Sequence, residues 1–307
     1  MDPYRCGLIS THLHYFQLVV GLGSIRRVAA TLNVAPSSVS RVITQLESEL
    51  GTPLFERVRQ RLRLTSAGEL LLERGRASIA ELTRATAEID ELRGLRRGVV
   101  RVATIESVAR GLLPGILEEM WLRYPGITAD ATVTGSRQAF NMVVEGTADL
   151  AIAFDLRTPP GIHRLAASSL EMGAVMSPTH PLAARPEVRL SDLSGERLLL
   201  SDASLTIGPR LREAIADTSI EMVGRSTTNS IGLMVELAVR GHGVALQTKV
   251  GVENELKSRK AVFVPLRDSR LRPRRLVLIA RSRVHLPEAA GVLAGITVQT
   301  IEQLGRF

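Results

Sequence analysis

The chain has 307 residues, enough for two or three domains, and its hydrophobic fraction of 45% and charged fraction of 23% are typical of globular proteins. A single cysteine, Cys6, excludes an internal disulfide, and no apolar run is long enough for a membrane span or a signal-peptide core, so we expect a cytoplasmic protein. The net charge of +8 rests on Arg, which supplies 36 of the 39 basic residues; this bias fits phosphate recognition and equally a GC-rich genome.

Two short helices are predicted near the start of the chain. Apolar residues at helical spacing indicate a first helix, Thr11–Val20, which the glycines of Gly21–Leu22–Gly23 should end. Ser24 is then expected to cap a second helix, Ile25–Leu32, by accepting a hydrogen bond from an amide of its first turn.

A third helix carries the most informative pattern. Pro36 suits its first position, and the helix should run to about Leu50, with Gly51 just beyond its end. One stripe is apolar and should be buried: Val39, Ile43, Leu46 and Leu50. The opposite face has short polar side chains and one base: Ser37, Arg41, Thr44 and Ser48. Such a face would enter a DNA major groove, about 12 Å wide, without obstruction.

The next segment, residues 54–65, alternates basic and other residues and predicts a tight β-hairpin. Its four arginines should project toward one side of the strand pair or toward its tip; they are Arg57, Arg59, Arg61 and Arg63. Residues 1–65 hold eight Arg against four acids, as a nucleic-acid-binding surface would. We therefore predict a winged helix-turn-helix DNA-binding domain over residues 1–65.

Residues 66–97 are predicted to form a long helix followed by a hinge. The helix should run from Ser66 to about Arg93, with apolar residues near heptad spacing: Leu72, Ile79, Leu82 and Ile89. Packing of this helix on its own domain is one interpretation. A dimerising linker helix is favoured, because no other apolar segment within residues 66–97 could cover the stripe.

From residue 98 onward, strand and helix patterns alternate, which predicts βαβ units around a parallel sheet. The predicted strands are Val99–Ala103, Thr128–Val133, Leu150–Phe154, Leu198–Leu200, Val244–Leu246, Val262–Pro265 and Leu276–Ala280. Helices are expected over Leu112–Tyr124, before Glu145, and from near Ile231.

Three segments near the start of the chain form an ordered set of motifs: Ala35–Pro36–Ser37–Ser38–Val39–Ser40–Arg41, Leu54–Phe55–Glu56–Arg57 and Leu64–Thr65–x–Ala67–Gly68. Looser motifs follow at Tyr124–Pro125 and Gly241–His242–Gly243–Val244–Ala245. Taken in order, these segments resemble the LysR-type transcriptional regulators. The resemblance is close over about residues 12–68. Ile25 and Val28 stand where the family usually has an aromatic residue and Ala; both are apolar, so we expect altered packing and intact DNA binding.

The resemblance implies an α/β multidomain fold: an N-terminal winged helix-turn-helix, a long linker helix and a C-terminal effector-binding domain like the periplasmic solute-binding proteins. It implies operator DNA, a small-molecule effector, further copies of the chain in a dimer or tetramer, and RNA polymerase as partners. Activation and repression both remain open.

The resemblance also implies a set of DNA-binding residues, which includes the four hairpin arginines. The other candidates are Ser24, Pro36, Ser37, Ser38, Ser40, Arg41 and Thr44.

The implied effector domain spans residues 98–307, with one subdomain from 98–168 and 275–307 and a second from 169–274. The effector should lie between them, near strand ends and helix N-termini. Candidate residues are Thr104, Ile105, Glu106, Ser107, Phe154, Asp155, Ser201, Asp202, Thr228 and Asn229. For Thr228 and Asn229, plain helix capping is an equal alternative. If Glu106 and Asp155 both line the cleft, a purely anionic effector is disfavoured and a polar or amine-bearing one is favoured.

Two other functions are less well supported. An enzyme is disfavoured because the six His are scattered without metal-ligand spacing, Cys6 has no obvious base, and Gly21–Leu22–Gly23–Ser24 lacks the third glycine of a dinucleotide-binding loop. We expect no catalytic residue, metal or cofactor. A solute-binding transport component is disfavoured by the basic N-terminal module and the missing signal peptide.

Overall fold

The computed structural model describes residues 8–58, 61–92, 98–203, 205, 207–216, 220–221, 223–271, 273–281 and 286–304, without the side chains of residues 57, 58, 61, 80, 83, 84 and 86–92. Two compact units divide the chain: Met1–Leu95 with Glu145–Thr147, and Arg96–Val144 with Ala148–Phe307. Among the described residues, no helix has the length and apolar character to cross a membrane.

The first unit consists of helices and one hairpin. In chain order these are α1 (Thr11–Leu22), α2 (Ile25–Leu32), α3 (Pro36–Leu50), β1 (Phe55–Val58), β2 (Arg61–Leu64) and α4 (Ser66–Leu92). The predicted helices and the predicted hairpin are confirmed, and α1 extends two residues beyond Val20. Left-handed backbone ends the three short helices at Gly23, Asn33 and Gly51, with φ values of 64°, 53° and 66°.

Two local predictions in this unit were wrong. The Ser24 side chain makes no capping hydrogen bond; only its carbonyl oxygen accepts, from the Val28 amide. A serine side chain does cap α1, where Ser10 Oγ accepts from Leu13 N at 3.2 Å. Leu50, placed in the buried stripe of α3, is 48% exposed because the helix ends there and no element covers its last turn.

The core of the first unit is a small apolar cluster to which all its helices contribute. Its buried members are Phe16, Val19, Val28, Ala29, Val39, Ile43 and Leu54. Leu71 and Leu72 of α4 pack against it. Leu72 is half-buried against the core of its own unit, a contact that its sequence spacing could not show. A role for Leu72 in dimerisation stays a prediction. Ile79 and Leu82 are half-buried, and the side chain of Ile89 lies outside the described ones.

Close backbone approach fixes the start of α4 against the rest of the unit. Thr65 Oγ1 accepts from Gly68 N at 3.1 Å and donates to Pro53 O at 2.7 Å, so one hydroxyl caps the helix and ties it to the turn before the hairpin. A Cβ on Gly68 would collide with the carbonyl oxygen of Leu54, and one on Gly75 would lie 2.8 Å from Leu13 Cδ1. Both glycines therefore serve packing.

The second unit contains two five-stranded sheets. The first has the strand order β4-β3-β5-β12-β6. Its strands are β3 (Gly98–Thr104), β4 (Ile127–Val133), β5 (Leu150–Phe154), β6 (His163–Leu170) and β12 (Arg274–Ala280). Helices α5 (Glu106–Gly111), α6 (Leu113–Arg123), α7 (Ser136–Val144) and α11 (Glu288–Leu304) pack on it. We call this sheet and its helices the first lobe.

The second sheet has the order β11-β7-β10-β8-β9. Its strands are β7 (Met172–Met176), β8 (Arg197–Ser201), β9 (Val223–Thr228), β10 (Val244–Thr248) and β11 (Val262–Pro265). Helices α8 (Ile207–Ile215), α9 (Ile231–Val239) and α10 (Glu253–Lys257) accompany it, with short 3-10 segments at Pro181–Ala184, Leu190–Leu193 and Lys249–Gly251. We call this the second lobe.

The topology corrects the prediction of a parallel sheet. Strands β3, β4 and β5 are parallel, but β12 pairs antiparallel with β5 and β6, and β7 pairs antiparallel with β10 and β11. The sequence patterns also missed β6, β7 and β9. The chain crosses between the lobes at Glu171 and again before Arg274, so Ser169, Leu170 and Arg274 belong to the first sheet and not, as expected, to the second.

The close approach at Gly68 makes a testable prediction. Gly68→Ala should destabilise the first unit by about 1–3 kcal/mol, because the added methyl group forces the start of α4 away from Leu54. Gly21→Ala is the matched control: its Cβ meets nothing within 4 Å, and Ala should stabilise α1 by up to about 1 kcal/mol. Hydrogen exchange of the α1–α3 amides in the full chain measures both effects. Equal protection in the two variants would contradict this account of Gly68.

Candidate DNA interface and effector cleft

The polar face of α3 is exposed as the sequence predicted. Pro36, Ser37, Ser38, Ser40, Arg41 and Thr44 all lie on the protein surface. Ser37, Ser40, Arg41, Thr44 and Ser48 line one shallow depression along the helix, together with Gln45 and Glu49. Ser24 is half-buried at the start of α2. This surface carries short hydrogen-bonding groups and one guanidinium, and no large apolar side chain.

The acids nearest to Arg41 in sequence are engaged elsewhere. Glu47 Oε1 accepts from the backbone amides of Leu54 and Phe55, at 2.7 and 3.1 Å. Glu49 Oε1 accepts from Gln45 Nε2 at 2.9 Å. The bonds of Glu47 also join α3 to the first residue of the hairpin, so the helix and the hairpin are positioned by a single carboxylate.

The hairpin register distributes the arginine positions over both faces. Residues opposite each other in an antiparallel pair share a face, and neighbours along a strand alternate. Arg61 is opposite Val58 and Arg63 is opposite Glu56, which puts positions 61 and 63 on one face. Arg57 is opposite Leu62, so position 57 belongs to the other face. The alternative in which all four arginines share one side of the pair is therefore wrong for Arg57, and the alternative in which they project toward the tip stays a prediction. Arg63 is exposed, and Arg59 lies outside the described residues.

The second unit has a cavity between its two lobes. The first lobe contributes residues at the start of α5 and α7, at the end of β5 and at the start of β12. The second lobe contributes the start of β7, the end of β10 and the N-termini of α8 and α9. Most of the wall is apolar. The cavity has a volume of about 30 Å³, enough for one or two water molecules, so the lobes are nearly closed on each other.

Four of the predicted effector residues line this cavity: Ile105, Glu106, Ser107 and Phe154. Ser107 is 1% exposed, and its Oγ has no hydrogen-bond partner among the residues that the structure describes. A buried hydroxyl in this condition costs free energy unless a ligand or water satisfies it. Ser107 is thus the predicted residue best suited to contact a bound molecule.

The other predicted effector residues do not line the cavity. Thr104 is fully buried, and its hydroxyl donates to Ile152 O within the first sheet. Asp155 pairs with Arg164, whose Nη2 lies 2.7 and 2.8 Å from the carboxylate oxygens. Ser201 and Asp202 lie at the end of β8, and Thr228 and Asn229 at the end of β9.

For Thr228 and Asn229, the capping alternative needs one change: the residue that caps α9 is Ser230. Ser230 Oγ accepts from Leu233 N at 3.2 Å, and Thr228 Oγ1 accepts from Ser230 N at 3.1 Å. The hydroxyl of Thr228 therefore shapes the turn before the helix. Thr228 and Ser230 both precede α9 in the sequence, and the sequence did not reveal which of the two hydroxyls would face the first turn of the helix.

Glu106 joins the two lobes. Its Oε2 accepts from the Ile231 amide at 2.6 Å, and its Oε1 accepts from the Gly232 amide at 2.8 Å and from Ser230 Oγ at 3.1 Å. The carboxylate thus sits at the N-terminus of α9, where unpaired amides and the helix dipole favour a negative charge. Nearby, Arg110 bonds Gly251 O and Glu255, so α5 holds the second lobe at two places.

Sequence reasoning missed the charged group in the cavity wall, Arg274. It is 6% exposed, and its guanidinium carbon lies 3.6 Å from the centre of the Phe154 ring. Burial, and secondarily the charge of Arg210, lower the pKa of Arg274 to about 9, so the group stays protonated at neutral pH. The missed polar residues of the wall are Ser136, Gln247 and Thr248. The run Arg274–Arg275 before an apolar strand was the available signal, but the strand was predicted to begin at Leu276.

The condition attached to the expectation about effector charge is not met. It required Glu106 and Asp155 both to line the cleft. Asp155 is outside the cavity and paired, while Glu106 is neutralised by the α9 amides.

Within the described part of the chain, no group of three His, Cys, Asp or Glu is placed to hold a metal ion.

Two family models match the chain: the LysR substrate binding domain over residues 93–300, and the bacterial regulatory helix-turn-helix of the lysR family over residues 10–69. The chain belongs to the LysR family of transcriptional regulators. It is a regulator with a helix-turn-helix DNA-binding domain and an effector-binding domain, as the resemblance implied, and its relatives are regulators and not enzymes.

Curated relatives cover most of this LysR-family chain. The transcriptional activator protein LysR of Escherichia coli K12 is 26% identical over 267 residues, which are 85% of this chain and 86% of that protein. The regulator CbbR of Rhodospirillum rubrum is 26% identical over 289 residues, 92% of this chain and 95% of that protein.

Solved structures share the fold of this LysR-family regulator. A full-length OxyR variant from Pseudomonas aeruginosa has a TM-score of 0.67 at 21% identity, and the match covers 93% of both chains. Full-length CbnR complexed with its target DNA has a TM-score of 0.65 at 18% identity, and the match covers 94% of this chain and 98% of that one.

Removal of the Glu47 carboxylate should loosen the hairpin from α3. Glu47→Ala leaves the Leu54 and Phe55 amides without their acceptor, and we expect a loss of about 1–3 kcal/mol in the stability of the first unit. Glu47→Gln keeps a carbonyl oxygen of the same reach and should lose less. Hydrogen exchange at the Leu54 and Phe55 amides checks this. Unchanged exchange in Glu47→Ala would show that the carboxylate does not hold the hairpin.

The bonds of Glu106 predict a second effect. Glu106→Ala should destabilise the closed form of the second unit by about 1–3 kcal/mol and speed hydrogen exchange at the Ile231 and Gly232 amides. The control is Glu236→Ala, which breaks only an exposed ion pair with Arg240 on α9 and should cost less than about 0.5 kcal/mol. If the two variants exchange at the same rate at both amides, Glu106 does not close the lobes.

Proposed function

We propose that this LysR-family regulator reads its operator with the exposed face of α3 and grips the flanking DNA backbone with the hairpin. The observation that carries the proposal is the joint arrangement of Ser37, Arg41 and Thr44 on one exposed face, with Glu47 tying the hairpin to the same helix. The guanidinium of Arg41 would bond bidentately to guanine or clamp a phosphate, while the small hydroxyls reach base edges or phosphate oxygens.

The DNA-binding role extends to the remaining candidates. Pro36, Ser38 and Ser40 would border the groove, Ser24 would contact the backbone from the start of α2, and the hairpin arginines would neutralise phosphates. These contacts position the protein and carry little sequence information. We propose residues 1–65 as the DNA-binding domain, 66–97 as the linker and 98–307 as the effector-binding domain.

The cavity between the lobes is proposed as the effector site, with Ile105, Ser107 and Phe154 among its contacts. An effector can shift the closure of the lobes only if it binds one closure state better than the other. The change would pass to operator DNA through paired copies of the chain. The α4 residues proposed at the contact between the copies are Leu72, Ile79, Leu82 and Ile89. A dimer or tetramer in the cytoplasm, acting with RNA polymerase, completes the proposal.

Two arginine variants test the DNA contacts. The operator is first selected from random duplex DNA with the intact chain. Arg41→Ala should then weaken operator binding by about 1–3 kcal/mol and relax the preference at one base position. Arg63→Ala should weaken operator and unrelated DNA alike and reduce the salt slope by about one unit.

Arg240→Ala, an exposed arginine of the second unit, is the matched control and should leave DNA affinity unchanged. Retardation assays at several salt concentrations measure these differences. The proposal fails if the intact chain selects no sequence, or if Arg41→Ala and Arg240→Ala bind the operator equally well.

A further inference from the structure

The second unit has another cavity, and among the described residues none lines both it and the proposed effector cavity. Its volume is about 340 Å³, within the range of about 300–1,000 Å³ that is typical of small-molecule sites. The wall is formed by the end of β6, the 3-10 segment Lys249–Gly251, α10 and the end of α11. We call it the α10 cavity. Both lobes contribute to it, so a molecule bound there would contact both.

The floor of the α10 cavity is apolar. Leu170 and Val250 are buried there, and Leu256 and Leu304 are half-buried. All four belong to the hydrophobic cores of the second unit or pack against them, so the surrounding core holds them in place. An apolar group placed on this floor would be removed from water at a surface that is already formed.

The rim of the same cavity carries charges of both signs. The ionised residues among those described are Glu171, Lys249, Glu253 and Lys257. Two of them have contacts elsewhere: Glu171 Oε1 accepts from Arg267 Nη1 at 2.6 Å, and Lys249 Nζ lies 5.3 Å from the centre of the Phe263 ring. Glu253 and Lys257 are therefore the charges best placed to act on a ligand.

Glu253 and Lys257 are the first and last residues of α10, one helical turn apart, and both line the cavity with Leu256. Burial raises the pKa of Glu253, and the charge of Lys257 offsets this only in part. None of the described residues donates a hydrogen bond to the Glu253 carboxylate. The carboxylate has thus lost water without gaining a donor, and an ammonium group beside it would stabilise its charge.

The mixed charges of the rim discriminate between classes of ligand. A simple anion would approach Glu253 and Glu171, and a simple cation would approach Lys257 and Lys249, so each would meet charges of its own sign. A neutral apolar molecule would desolvate Glu253 further and supply no donor. A compact molecule with one positive and one negative group avoids all three costs.

We propose that the α10 cavity binds a free α-amino acid with an apolar side chain. Its ammonium group donates to Glu253, its carboxylate faces Lys257, and its side chain lies on the floor of Leu170, Val250, Leu256 and Leu304. This is a second ligand site, separate from the proposed effector cavity, and it goes beyond the proposed function.

The test measures binding to the full chain by calorimetry. The probes are L-valine, L-leucine, L-isoleucine, L-methionine and L-phenylalanine, with glycine as the control that lacks an apolar side chain. Each probe is compared with the amine and the carboxylic acid that keep its side chain and lack one of its two charges. At least one probe should bind about tenfold more tightly than glycine and than both of its analogues. If no probe binds, or if an analogue binds as tightly as its amino acid, the inference is overturned.

Charge variants assign the binding to α10. Glu253→Gln should weaken binding of the active probe about tenfold, because the carboxylate is half-buried, and Lys257→Gln should weaken it about threefold, because the ammonium group is exposed. The matched controls are Glu236→Gln and Lys260→Gln, two exposed residues outside the cavity, and both should bind as the intact chain does.

A blocking variant tests the site without changing its charges. Ser169 is exposed at the end of β6 and lines the cavity, so Ser169→Trp should fill it and abolish binding, whereas Ser169→Ala should retain binding. Unchanged affinity in both Glu253→Gln and Ser169→Trp would place the amino acid elsewhere in the protein and contradict the inference. Operator selection by the intact chain, carried out without any amino acid, tests the proposed DNA-binding function independently.

Discussion

Backbone amides that lack a partner in their own element must find an acceptor elsewhere, and at two places in this chain a glutamate supplies it. Glu47 accepts from Leu54 and Phe55 and thereby sets the hairpin against α3. Glu106 accepts from Ile231 and Gly232 and joins the two lobes. In each case a charged acceptor makes stronger bonds than a neutral one would, and the bonds connect elements whose relative placement matters for function. The exposed face of α3 and the cavity between the lobes both depend on a glutamate carboxylate that accepts hydrogen bonds from backbone amides.

The charged residues near the cavity differ in the groups that they contact. Glu106 and Asp155 look equivalent in the sequence, since each follows a strand of the first sheet. In the structure, Asp155 neutralises Arg164 outside the cavity, and Glu106 is neutralised by the first amides of α9. The cavity wall also contains the buried guanidinium of Arg274, which lies over the Phe154 ring.

The two units of this LysR-family regulator were predictable to different degrees. The first unit has α3 from Pro36 to Leu50 as expected, because Pro36, Gly51 and the spacing of Val39 and Ile43 all act within one helix. The packing of Leu72 on the core of its own unit was not predicted, since heptad spacing cannot tell a partner chain from the domain's own core. In the second unit, the edge strand β9 was missed because its exposed, polar residues lack an apolar pattern.

The sequence by itself determined the helices and hairpin of the DNA-binding unit, the exposed face with Ser37 and Arg41, and the family, because these depend on residues that are neighbours along the chain. Only the tertiary structure decided which residues line the cavity and what Glu106 and Arg274 contact there. Arg274 meets Phe154 because β12 pairs antiparallel with β5, and Glu106 meets α9 because the two lobes close on each other. Such contacts join residues more than a hundred positions apart, and local pattern contains no information about them.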